Sequence, residues 1–206
     1  MGDFKQAFFE LSDFPTLKAL ASDWLVMRDE LANLQAPVMD IDRNKKTHHQ
    51  VRDEILQRTQ AGEKYGWIKG WGRPQGNTDW VQYGLVIDDL AMPFASAALP
   101  KTVALLQGIK GLHVAALSRL AAGSFLMTHT HPELPVKGLL QMHVTLQAPD
   151  DRNFAYLNVA GEFRHHLNGS GYIFDGSLDH FAVNASYQDR IILYLEFSKK
   201  RLMRRE

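Results

Sequence analysis

From Leu112 to Phe197 the chain breaks into short apolar runs separated by glycine, proline, asparagine and aspartate. No helix-length segment lies between the runs. They are Leu112–Leu120, Ser124–His129, Gly138–Leu146, Ala155–Val159, Gly171–Phe174, His180–Asn184 and Arg190–Phe197. Strands this short and this evenly punctuated predict a sandwich or a barrel, because a parallel α/β sheet needs a helix between successive strands. Polar residues recur on one side of two runs. Gln141, His143 and Thr145 share a face, as do Arg190, Ile192 and Tyr194, since side chains alternate along a strand. The opposite faces carry Val144, Leu146 and Leu193. A polar inner row behind an apolar outer row suits a barrel whose interior is a site.

The first third has helical texture. From Pro15, apolar residues at Leu17, Leu20, Ala21, Trp24, Met27 and Leu31 predict an amphipathic helix with proline in its first turn. A second helix is predicted from His49 to Gln60, with Val51, Ile55 and Leu56 as its stripe and Gly62 as its stop. Pro37 and Asp40-Ile41-Asp42-Arg43-Asn44 form a loop between them. Near Tyr65 the pattern changes to alternating bulky and small residues, and Arg73-Pro74-Gln75-Gly76-Asn77 supplies turn chemistry before a strand at Trp80–Val86. Pro100 opens a short helix through Leu106 that Gly108 and Gly111 end. The organisation expected is one domain over residues 1–206, with a helical support region at 1–64 and a β core at 65–198.

With 23 Lys+Arg against 23 Asp+Glu the net charge is zero, which gives no electrostatic footprint for nucleic acid. The basic tail Lys199-Lys200-Arg201 with Arg204-Arg205 is read as a solvated end. The absence of cysteine excludes a disulfide framework, a thiolate metal site and a cysteine nucleophile. Met1-Gly2-Asp3-Phe4-Lys5 lacks the layout of a signal peptide, and no apolar run is long enough to span a bilayer. A cytoplasmic protein without a membrane partner is expected.

Histidines cluster in His129-Thr130-His131 and at His143, and His180 follows Phe174-Asp175-Gly176-Ser177-Leu178-Asp179. Imidazoles on neighbouring strands are the ligands of a divalent metal site with open positions, of the kind used by non-haem Fe(II) oxygenases. His129 and His180 are the candidate ligands. His131 is a third ligand, a second-layer donor or a residue turned away by Pro132. His165 and His166, in a Gly/Asn-rich turn, and His48 and His49 are read as surface residues. Arg190 opens an apolar strand, so its charge requires a carboxylate, either Glu196 or a nearby aspartate, or an anionic ligand. Trp67, Trp71, Arg73 and Trp80 are candidates for a pocket wall or for plain aromatic packing.

The segment from Leu99-Pro100-Lys101-Thr102 through Phe197 resembles the aspartyl/asparaginyl β-hydroxylases, a family of Fe(II)- and 2-oxoglutarate-dependent oxygenases. The carriers are that proline-threonine turn, Leu117-Ser118 to Gly123, His129-Thr130-His131-Pro132 with Met142-His143, and Ile173-Phe174-Asp175-Gly176-Ser177 with His180. The resemblance implies a mainly β fold with N-terminal helices, a double-stranded β-helix of jelly-roll, cupin-like barrel form. It implies iron bound by His129 and His180, and 2-oxoglutarate held by Ser118, His143 and Arg190, with Arg190 on the distal carboxylate. It also implies molecular oxygen as co-substrate and hydroxylation of an aspartyl/asparaginyl-like side chain, a free amino acid or a small amide. Two departures stand out. His131 occupies the place of the family's frequent glycine, and Gln141 that of an arginine near the co-substrate, which Arg119, Lys137 or Arg152 would have to replace.

Two other readings stay open. Gly123 to His131, and His180 with Asn184, partly fit the cupin motifs, but Glu133 comes too early and Asp175 and Ser177 replace the expected proline and glycine. Such a metalloenzyme would not use 2-oxoglutarate. A non-catalytic sensor barrel is the third reading. The oligomeric state is open, with a homodimer among the options.

Overall fold

The computed structural model describes residues 6–204. Residues 1–5, read above for a signal segment, and Arg205 of the basic tail lie outside the described residues. The strands are β1 (Phe8–Phe9), β2 (Val38–Met39), β3 (Trp67–Gly70), β4 (Asn77–Ile87), β5 (Leu90–Ala91), β6 (Leu112–Leu120) and β7 (Ser124–His129). They continue with β8 (Leu139–Gln147), β9 (Ala155–Val159), β10 (Glu162–His165), β11 (Gly171–Phe174), β12 (His180–Asn184) and β13 (Arg190–Ser198). The α-helices are α1 (Pro15–Ser22), α2 (Trp24–Ala32), α3 (His48–Gln60), α4 (Pro93–Ala98), α5 (Pro100–Gln107), α6 (Glu133–Lys137) and α7 (Lys199–Leu202).

The fold is mainly β, a jelly roll of the cupin type, built from two sheets. The larger runs β1-β11-β8-β13-β6-β4-β3-β2, with β5 beside β4, and the smaller runs β10-β9-β12-β7. The expected barrel does not close, because among the described residues no ladder joins the two sheets. Trp80 and Leu120 of the larger sheet pack against Ala182 of the smaller, and Phe174 against Leu157 and Val159, face to face as in a sandwich.

Strict alternation places the core. On β8, Leu140, Met142, Val144 and Leu146 point outward; on β13, Ile191, Leu193, Leu195 and Phe197 do so. These rows pack against Phe14, Leu17, Leu20, Met27 and Leu31 of the N-terminal region in one continuous core. The helical layer therefore covers the outer face of the large sheet and leaves its inner face for polar groups.

The single helix expected from Pro15 to Leu31 is two. Asp23 leaves helical geometry (φ −87°, ψ 16°) and separates α1 from α2. Trp24 then packs over Gly169, where an added Cβ would come within 2.7 Å of the indole nitrogen. The helix at His48–Gln60 starts where Thr47 and Gln50 form a reciprocal capping box.

Candidate active site

One pocket between the sheets is lined by His129, His131, His143, His180, Ser118, Gln141 and Arg190. The structure thus brings together every residue named above as a metal or co-substrate ligand. His129 and His180 are register partners on β7 and β12, and their ring centroids lie 4.2 Å apart. His131 lies just beyond the end of β7. Its backbone N–H donates to the Gly176 carbonyl at 2.9 Å, which sets its ring 5.1 Å from His129 and 5.4 Å from His180. One nitrogen from each of the three rings lies within 4.8 Å of the other two.

The hydrogen bonds fix which nitrogen is free. His129 Nδ1 meets the Met127 carbonyl and His180 Nδ1 the Leu178 carbonyl, both at 2.8 Å. A carbonyl only accepts, so each Nδ1 carries the proton and each Nε2 keeps a bare lone pair. His131 Nδ1 meets the Glu133 carboxylate at 3.3 Å, so in the neutral ring the proton sits on Nδ1 and Nε2 is the free nitrogen. This anchoring of the far nitrogen is how metal-binding histidines are oriented. Burial, the largest cause, lowers the His129 pKa and takes that of His180 down to about 3. Both rings are therefore neutral, as a metal ligand must be.

Arg190 is 2 % exposed and makes no salt bridge among the described residues; its Nε and Nη1 have no hydrogen-bond partner. Burial pulls its pKa down to about 9. Glu196 is not the partner the sequence allowed, since its carboxylate accepts instead from the Tyr194 hydroxyl at 2.5 Å. The inner face of β13 thus leaves a buried cation without a counter-ion. Ser118 accepts from the Trp80 indole at 2.9 Å, which leaves its own hydroxyl proton to donate. Gln141 donates to the Tyr194 oxygen at 2.6 Å, and its Oε1 is buried without a partner.

Several expectations need correction. His166 is 0 % exposed, not a surface residue. Its backbone N–H bonds the Ala155 carbonyl, which turns the ring inward to meet His143 Nδ1 at 3.3 Å. His48 also lines the pocket, whereas His49 is exposed and pairs with Asp88 at 3.1 Å. Among the aromatic candidates, Trp71 and Trp80 line the pocket. Trp67 packs on Tyr83 in the core, and Arg73 pairs with Asp79 outside it. None of Arg119, Lys137 and Arg152 lines the pocket. Arg43 does, from the loop after β2, with Nη1 on Gln82 Oε1 at 2.5 Å. Sequence reasoning missed Arg43, His48 and Gln82, and Glu196 as a pocket residue. Glu196 and Gln82 carried a signal: Glu196 continues the inner-face alternation of β13 after Arg190, Ile192 and Tyr194, and Gln82 shares the face of Trp80 on β4.

Comparison with known proteins adds a family match. A family model described as aspartyl/asparaginyl beta-hydroxylase matches residues 21–200. A curated relative, the ornithine lipid ester-linked acyl 2-hydroxylase of Rhizobium tropici, is 31% identical over 102 residues. That stretch is 50% of this chain and 35% of the relative, so the chain spans about a third of that protein. A 2OG-Fe(II) oxygenase family oxidoreductase from Burkholderia pseudomallei aligns with TM-score 0.45 and 12% identity, over 77% of this chain and 81% of that one. A predicted oxalate decarboxylase from Thermotoga maritima aligns with TM-score 0.39 and 14% identity, over 59% and 83%. Among the described residues, no helix is long and apolar enough to cross a membrane.

Proposed function

The chain belongs to the aspartyl/asparaginyl β-hydroxylase family, and from that membership we propose that it is an Fe(II)- and 2-oxoglutarate-dependent dioxygenase. It hydroxylates a C–H bond of an aspartyl/asparaginyl-like side chain, a free amino acid or a small amide. The curated relative's name adds a lipid acyl chain to the substrates to test. The observation that carries the reading is Arg190: a fully buried guanidinium with two unpartnered nitrogens in the same pocket as three imidazoles that present bare Nε2 atoms. An anion that also binds a metal satisfies both halves, and a keto acid is such an anion.

In this reading His129 and His180 hold the metal, and His131 supplies a third nitrogen. Arg190 takes the distal carboxylate of 2-oxoglutarate with paired N–H donors, and Ser118 donates its hydroxyl proton to the same group. His143 needs its Nε2 protonated to serve an anion. Its bond to His166 supports that tautomer, because the alternative strands a buried N–H on His166 Nδ1, the costlier kind of orphan. When bound, iron couples the reduction of oxygen and the loss of carbon dioxide from 2-oxoglutarate to insertion of one oxygen atom into the substrate C–H, leaving succinate. The remaining task belongs to the protein: Trp71, Trp80 and Phe181 wall the pocket and limit water.

The test is release of labelled carbon dioxide from 2-oxoglutarate, with iron, over a panel of amino acids, amides and acyl lipids. Stimulation by a panel member, lost in His129→Ala and His180→Ala, is expected. Iron binding without any 2-oxoglutarate binding would refute the reading and favour a cupin-type metalloenzyme. Binding of both without oxygen consumption would favour a sensor.

A further inference from the structure

Two more charges, of opposite sign, face this pocket, and among the described residues no direct salt bridge neutralises either. Among the described residues Arg43 makes one hydrogen bond, to neutral Gln82, and lies 5.6 Å from the centre of the Trp80 ring. Glu196 is 2 % exposed, and its only hydrogen bond among the described residues is from Tyr194. Neither takes part in a salt bridge among the described residues, although both line the same cavity. His48, beside them, does not balance Glu196, because burial lowers its pKa and keeps it neutral. Lys137 approaches His113 Nε2 at 3.4 Å and makes no ion pair with Glu196.

Gln82 and Tyr194 explain why the two charges do not collapse onto each other, since each tethers one of them. Opposite charges left side by side and unpaired are costly to bury. The ligand that relieves both carries an anion and a cation close together. Glu196 lies six residues along β13 from Arg190, roughly 20 Å at strand spacing, so this pair is separate from the group assigned to 2-oxoglutarate.

We propose that Arg43 and Glu196 form a subsite for a zwitterion, in which Arg43 binds a free carboxylate and Glu196, with His48, binds a free ammonium. The substrate class is thereby a compound with both groups unblocked, as in a free amino acid. Interior peptide residues, whose amine and carboxyl are amides, do not match it. The proposal rests on the oxygenase reading only for what happens to the bound molecule. A rival occupant is a metal ion, since ligand atoms of His48, His113 and Glu196 lie within 4.8 Å of one another. Lys137 beside His113 and Arg43 beside Glu196 would repel it.

The experiment is equilibrium binding by isothermal titration to the metal-free protein. The probes are the common L-amino acids and the N-acetyl and carboxamide forms of those that bind. Blocking either end is expected to weaken binding by at least about 30-fold, the scale of losing a desolvated charge partner. Glu196→Gln should erase discrimination against the N-acetyl form and keep that against the carboxamide. Arg43→Gln, in a loop, should do the reverse. No binding of any zwitterion, or unchanged ratios in both variants, overturns the proposal. So does a second equivalent of zinc bound by the wild type and lost in Glu196→Gln, which would assign the cluster to a metal. Manganese and 2-oxoglutarate are titrated in parallel. Their failure to bind sinks the oxygenase reading and leaves the zwitterion result standing.

Discussion

Replacing Arg190 with methionine should make the empty protein more stable and less able to bind 2-oxoglutarate. The guanidinium is 2 % exposed, two of its nitrogens lack partners, and burial brings its pKa to about 9 from an ordinary value above 12. At 1.36 kcal/mol per pH unit, that drop corresponds to roughly 4–5 kcal/mol against burying the charged form. The sign follows from proton counts. Below pH 9 both folded and unfolded chains hold the proton, so the full penalty is present at neutral pH. Above it the unfolded chain binds more, and stability rises with pH. Methionine matches the stem and removes the charge; after repacking losses, a gain of about 2–3 kcal/mol is expected. For a chain of this size that is roughly 4–12 °C in Tm. Urea titration and thermal melts of the metal-free protein measure it, with and without 2-oxoglutarate. The wild type should gain stability with the keto acid and the variant should not. A variant that melts lower than the wild type, or that keeps the ligand-induced shift, would show that Arg190 has a protein partner and refute the argument.

Metal analysis of His129→Ala and His180→Ala should find the bound equivalent lost, and His131→Ala should retain it at lower affinity if its Nε2 serves as a ligand. Acidification should destabilise the fold: burial holds the pKa values of His143 and His166 well below the ordinary value, so as pH falls through about 6.5 the unfolded chain takes up protons that the folded chain refuses. The limiting slope is about 1.4 kcal/mol per pH unit for each ring, and denaturant titrations from pH 7.5 to 5 would read it, flattened in His166→Phe. Gly176→Ala places a Cβ 2.1 Å from Gln141 Oε1, so Gln141 must shift off Tyr194. Weaker 2-oxoglutarate binding with a cooperative melt is expected, and unchanged binding would show Gln141 to be a bystander.

The β half was legible because period-two alternation is local. Gln141, His143 and Thr145, and Arg190, Ile192 and Tyr194, each announced a face, and all of these but Thr145, which bonds Ser170, now line one pocket. Both ends of β8 moved by one residue and β13 gained Ser198, within ordinary uncertainty about strand ends. What sequence could not supply was proximity made by distant segments. Nothing local in Asp42-Arg43-Asn44 distinguishes a loop that folds over a sheet from one in solvent. His166 was misread for a related reason: Asn168 and Gly169 signal a turn, and the turn is there, but it closes from Leu167 to Ser170, and His166, just before it, is buried. The break at Asp23 likewise depends on Trp24 meeting Gly169, far along the chain.

The N-terminal third closes both rims of the large sheet. Phe8 and Phe9 pair with β11 at one margin, and Val38 and Met39 run alongside β3 at the other. Unpaired strand margins are templates for self-association, so these two short pieces act as gaskets as much as supports. A version trimmed to the strands around the histidines would keep every candidate ligand, on β6, β7, β8, β12 and β13 and in the turn that carries His131. It would also expose two raw peptide edges, and its failure in the test tube would come from clumping before chemistry.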